Sequence, residues 1–163
     1  MKHKKNFMKI AIDSLAAAGA GTLAKTLSKY YNLFYLDTGK IYRMIAYLKL
    51  KFPKKFNTTF LKKKIMKLRV KDLENRVLIS DKIGTEASIL SKNRNIRKLV
   101  HNFQIKFAYN PPNKYSGSCL DGRDITYKII PDAEFKFFIT ANLKTKAKRR
   151  YNELKSLKKN VSY

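Results

Sequence analysis

A chain of 163 residues with 44% hydrophobic content is long enough for one domain with a real core, and is not compositionally disordered. Its 37 basic and 11 acidic residues give a formal net charge of +26; its single cysteine excludes an intramolecular disulfide, and its two histidines, far apart and without a cysteine cluster, argue against zinc. No apolar run approaches the ~20 residues of a membrane span, and the run after the basic start, Ile10 to Ile12, is too short for a secretory signal, so a cytoplasmic location with no membrane partner is expected.

In chain order, Lys9 to Asp13 reads as a short buried strand, and the small-residue stretch from Ser14 leads to a helix starting at Gly21 or Thr22. Leu23, Leu27, Tyr30 and Tyr31 recur at helical spacing and predict its buried face, with Asn32 as its stop. Leu33 to Leu36 is a second strand ending at Asp37-Thr38-Gly39, and Ile41 to Phe52 a helix stopped by Pro53. Thr58 or Thr59 predicts the cap of a basic helix reaching Lys67, and Leu68–Val70 with Arg76–Ile79 suggests a small hairpin. Thr85 to Phe107 reads as mostly helical, with Ile89, Ile96, Val100, Phe103 and Phe107 on its apolar side. After a loop at Tyr109–Asn113, Ser118–Asp121 is a third strand followed by the turn Gly122-Arg123-Asp124. Phe135–Thr140 is a strongly apolar fourth strand, and Lys144–Leu157 a basic helix.

Strands followed by helices predict a parallel sheet covered on both faces. In such sheets ligands bind beyond the carboxyl ends of the strands. The loops Gly19-Ala20-Gly21, Asp37-Thr38-Gly39 and Asp121–Asp124 all lie at such ends, so three polar, glycine-bearing segments are expected to converge on one edge.

Each segment has chemistry of its own. Strand, small-residue loop and helix start form the layout of a P-loop, whose backbone N–H groups surround phosphate oxygens. Gly19 and Gly21 permit close backbone approach, and Thr22 offers a hydroxyl to phosphate or to magnesium-bound water. Two P-loop positions depart: Ser14 stands where Gly opens the loop, a concern if that turn needs positive φ. Ala20 stands where Lys would grip the phosphate. Arg43, at the head of a helix, either grips a phosphate bidentately or pairs with Asp37. Asp121 either holds magnesium through water or closes a turn by pairing with Arg123. The charge also has two readings: an anionic partner, or lysine drift over a solvated surface encoded by AT-rich codons. The acid-free window Thr38–Lys71, with twelve Lys or Arg, is the best candidate for an anion-attracting face.

Together these segments resemble one family, the bacterial cytidylate kinases among the P-loop nucleoside monophosphate kinases. The resemblance is carried by Ile10–Asp13 with Gly21–Lys25, Tyr35–Gly39 with Tyr42-Arg43, Ala87-Ser88 and Arg97. It continues through Leu120–Ile125, Pro131–Ala133 and Arg149–Leu154 in family order. It implies an α/β, three-layer P-loop kinase fold, with a core at about 8–52 and 85–157 and a small monophosphate-binding insert at about 53–84. It implies that Ser14, Ala18, Gly19, Ala20, Gly21 and Thr22 hold ATP, that Thr38 and Arg43 hold the monophosphate, and that Ser88, Arg97 and Asp124 recognise the cytosine nucleotide. Arg123, with Asp124, matches the phosphoryl-transfer centre. The implied reaction is ATP plus CMP or dCMP giving ADP plus CDP or dCDP, with Mg2+, in pyrimidine metabolism.

Three departures qualify that expectation. Loss of the lysine at Ala20 is worth on the order of 10²–10³ in rate, by analogy with removal of one oxyanion donor, unless another cation such as Lys25 compensates. The family's C-terminal lid and last core strand are expected to be missing, leaving Phe135–Thr140 as a bare edge, and the insert is reduced around Ile79–Ile83. The expectation is therefore a kinase of weakened or lost activity, monomeric unless that edge pairs. The alternative is a non-catalytic, basic nucleotide- or RNA-binding remnant; a third class, an assembly partner, rests on the edge strand alone.

Overall fold

The computed structural model describes residues 7–156. The basic segment at 1–5 and Leu157 lie outside the described residues. Four strands, β1 (Met8–Ser14), β2 (Leu33–Asp37), β3 (Gly117–Gly122) and β4 (Phe135–Ile139), form one parallel sheet in the order β2-β3-β1-β4. The helices are α1 (Ala20–Tyr30), α2 (Gly39–Lys51), α3 (Thr58–Met66), α4 (Asp81–Leu90), α5 (Arg94–Tyr109) and α6 (Leu143–Ser156). No helix among the described residues is long and apolar enough to cross a membrane.

The period of two in the strands divides the core. Ile10, Ile12, Leu33 and Cys119 point to one face and pack with Ala20 and Ala24 of α1. Ala11, Phe34, Leu36 and Leu120 point to the other, where α2, α4 and α5 bring Ile41, Ile45, Ala87, Ile96 and Val100. This is the sheet covered on both faces that the chain order predicts.

Several elements differ from expectation. α1 buries Ala20, Ala24 and Ser28, while Tyr30 is 80% exposed and Tyr31 stands in solvent. Small side chains at i, i+4 and i+8 let the helix lie close on the sheet, and its leucines pack only at the margin. Asn57, not Thr58 or Thr59, caps α3 by accepting from Phe60 N–H. The expected hairpin is replaced by two 3₁₀ turns, Val70–Glu74 and Arg76–Ile79, which bury Leu73 and Leu78 under the helices. The long helix expected from Thr85 to Phe107 is two helices. Asn93 interrupts it, its side chain accepting from Asn95 and Ile96 N–H, and Ile89 ends up exposed. β4 has one strand neighbour among the described residues and leaves Phe135 and Phe138 exposed.

Candidate functional site

The first strand end builds the phosphate loop. Ala18 N–H turns back to the Leu15 carbonyl, and Thr22 and Leu23 N–H both bond to the Gly19 carbonyl. The amides ahead of them, at the start of α1, have no intrahelical carbonyl to meet. Positive φ falls at Ala17 (58°) and Gly19 (98°), not at Ser14, which simply ends β1. The sequence concern about Ser14 thus belongs three residues on, at Ala17. An alanine inside an alanine run offers no sign of a left-handed turn.

The other strand ends meet this loop. Asp37 and Asp121 are partners in the β2–β3 register. The Asp121 carbonyl accepts from both the hydroxyl (2.9 Å) and the N–H (3.0 Å) of Thr38. A Cβ at Gly122 would stand 1.9 Å from Thr38 Oγ1, so that position admits only glycine. Asp13, buried at the end of β1, accepts from Ile125 N–H at 2.7 Å and from Thr126 N–H at 3.0 Å. It thereby fixes a single π-type turn, Ile125–Ile129, directly after Asp124, which holds φ at +62°. Three strands therefore set one rigid loop bearing Gly122, Arg123 and Asp124.

The acids at this edge are unusual. Asp121 is buried with Oδ1 lacking any hydrogen-bond partner. Burial, and then the charge of Asp37, push its carboxyl up to about 7, while the Tyr35 phenol and Lys25 pull it back. Burial and Asp121 together push the Tyr35 phenol far up. Asp124 is held below the usual carboxylate range by the Tyr127 hydroxyl at 2.6 Å, helped by Arg97 at 2.6 Å and Lys128.

These parts line one open cleft of about 2290 Å³, room for two nucleotide-sized ligands. Ser14, Ala18, Gly19, Ala20, Gly21, Thr22, Thr38, Arg43, Ser88, Arg97, Asp121, Arg123 and Asp124 all border it. Arg43 does not pair with Asp37. It donates to the Leu78 (2.8 Å) and Ser80 (3.4 Å) carbonyls of the 53–84 segment, its guanidinium lying against Gly84. Asp37 instead accepts from Lys40 N–H. Sequence reasoning on single residues missed Arg149 and Arg150 of α6, which border the cleft from the β4 side; the Arg-Arg doublet was their one signal. Arg149 donates to the Ala18 carbonyl, and Arg150 pairs with Asp81 at the start of α4 and with Glu153.

A phosphate loop facing buried Asp121 and half-buried Asp37, with arginines lining the cleft, is equipped to bind two anionic ligands end to end and move a phosphoryl group between them. The family model described as cytidylate kinase matches residues 10–163. The cytidylate kinase of Bartonella tribocorum is 43% identical over 150 residues, covering 89% of this chain and 66% of its own length. That of Rhodospirillum rubrum is 38% identical over 152 residues, 91% of this chain and 70% of its own. A third, from a Bradyrhizobium species, is 39% identical over 150 residues, 91% and 69% respectively. The chain spans about two thirds of the length of these relatives.

Proposed function

The chain belongs to the cytidylate kinase family, and on that premise we propose that it transfers the γ-phosphoryl group of ATP to CMP or dCMP. The observation that carries this reading is the meeting of the phosphate loop, Asp37-Thr38 and Asp121–Asp124 on one cleft whose far wall holds the Arg97–Asp124 pair.

ATP phosphates lie on the amides at the start of α1, with Gly19 and Gly21 allowing close approach and Thr22 adding its hydroxyl. The monophosphate sits towards Arg43, which exchanges two neutral carbonyls for a charged oxygen, a stronger acceptor. Thr38 spends both donors on the Asp121 carbonyl, so its contribution is to hold the Gly122 turn beneath that phosphate. Ser88, Arg97 and Asp124 face the cytosine nucleotide. A monophosphate oxygen attacks the γ-phosphorus in line; the new P–O bond forms as the bond to the β-phosphate bridging oxygen breaks, and ADP leaves. Arg123 lies where charge builds on the transferred group, and catalysis is positioning plus charge stabilisation.

The residues fit Mg2+: Asp121 offers a buried, unpartnered carboxylate oxygen beside Asp37, and Thr22 borders the same cleft. When bound, the ion supplies charge neutralisation at the phosphate oxygens. We place the reaction in the cytoplasm, carried out by a single chain, with the β4 edge as the route by which copies would pair.

Measuring ADP formation with CMP, dCMP, UMP and AMP tests this. Turnover that depends on CMP or dCMP, and is much slower with AMP, is expected. No turnover together with no CMP binding would overturn the proposal.

A further inference from the structure

The phosphate loop carries no cation of its own. From Ser14 to Ala24 there is no Lys or Arg, and α1 has no charged residue in its first turn. Lys25 is the next basic residue, and it borders the same cleft. The helix α6 supplies something different. Arg149, reaching from α6, donates from Nη1 to the Ala18 carbonyl at 2.6 Å. Its guanidinium also covers Gly19: a Cβ there would stand 2.9 Å from Nη1, 3.4 Å from Cζ and 3.6 Å from Nη2.

Two features set this arginine apart. First, its neighbour Arg150 is paired with Asp81 and Glu153, whereas among the described residues Arg149 has no carboxylate partner. Among the described residues its one hydrogen bond is to a neutral carbonyl. A guanidinium carries five N–H donors in a fixed fork, so most of its capacity is unspent at the rim of the loop. Secondly, it lies directly over the turn of the loop. Gly19 at φ 98° has no side chain, and the space a Cβ would fill is taken by the guanidinium.

Resting on the kinase reading above, we propose that Arg149 supplies to the ATP phosphates the positive charge that Ala20 does not. The charge then arrives from α6 rather than from within the loop. An anionic phosphate on the α1 amides is a better acceptor than the Ala18 carbonyl, so a small turn of the fork converts a loop contact into a ligand contact.

Four variants test it: Arg149→Ala, Arg149→Lys, Ala20→Lys, and Ala20→Lys combined with Arg149→Ala. Each is read by ADP formation and by separate calorimetric titrations with ATP and with CMP. Arg149→Ala is expected to lower kcat/KM for ATP by about 100-fold while CMP affinity stays within about twofold, since distant sites act independently. In the double variant Ala20→Lys is expected to restore most of that loss, the added charge serving the same role. An Arg149→Ala protein with unchanged ATP handling, or a folded double variant no better than Arg149→Ala, would overturn the proposal. Ala20 is buried against the sheet, so should its variants not fold, Arg149→Ala against the charge-keeping Arg149→Lys decides: a loss of ATP handling in the first that the second does not share is expected, and an equal loss in both would overturn the proposal; Arg149→Gln stands in should Arg149→Ala not fold. A natural chain that binds ATP but transfers nothing to CMP would sink the kinase reading while leaving the ATP affinities to judge Arg149. A chain that binds neither nucleotide would sink both.

Discussion

Asp121 shows how one side chain at a strand end couples the site to the fold. Burial first, and Asp37 second, raise its carboxyl from an ordinary 3.8 to about 7. Between those values the folded chain holds a proton that the unfolded chain has lost, so the stability from this group is fully present below about pH 4 and is lost as pH rises through about 7. Asp124, Asp132 and Glu134 shift downwards, and their contributions are lost only at lower pH. Urea midpoints of the metal-free protein should therefore fall from pH 5 to pH 8, and Asp121→Asn should flatten that slope; a flat profile in the natural chain would contradict the assignment. Ala17 is a second costly residue, held at φ 58° where an L side chain loses about 1–2 kcal/mol. Neither residue announces this in the sequence: Asp121 reads as one acid among several, and Ala17 as one of three consecutive alanines.

At the scale of elements, caps decide where the helices stop. Asn93 takes two N–H groups at the start of α5, and this cap separates α5, which bears Arg97, from α4, which bears Ser88. Asn93→Ala should lower stability by about 1 kcal/mol, seen as a lower urea midpoint at unchanged slope. Strand positions were legible from apolar runs bounded by turn residues, and the three glycine-bearing loops were legible because they fall at strand ends. The division of 85–107 into two helices was not, because Ile89 continues the apolar spacing although it faces solvent. The face of α1 was misread for a related reason. Periodicity marks large apolar residues, whereas close packing on a sheet selects Ala20, Ala24 and Ser28. The 3₁₀ turns at 70–79 looked like strand ends because Leu, Val and Ile serve both. Among the candidate site residues, the sequence named side chains but not their engagements: that Arg43 rests on the Leu78 and Ser80 carbonyls, and Arg97 on Asp124, follows only from the tertiary fold.

For the whole molecule, a charge of +26 on 163 residues means that the folded state confines mutually repelling lysines. Screening relieves that repulsion, since the Debye length falls to about 8 Å at physiological ionic strength. Raising NaCl from 20 to about 300 mM should therefore raise the thermal midpoint, the reverse of what a molecule held chiefly by surface ion pairs would show; a midpoint that falls with salt would contradict this. The order of the sheet has a kinetic consequence. β1 lies between β3 and β4, and β2 pairs with β3 rather than with its predecessor. The registers join Met8 to Gly117, Leu33 to Gly117 and Ile10 to Phe135. No strand can therefore close a ladder with the strand made before it until the chain has grown past residue 117. On the ribosome, Ile10, Ile12 and Phe34 must wait, their apolar surface sheltered only by nascent helices, for partners that emerge 84 to 109 residues later.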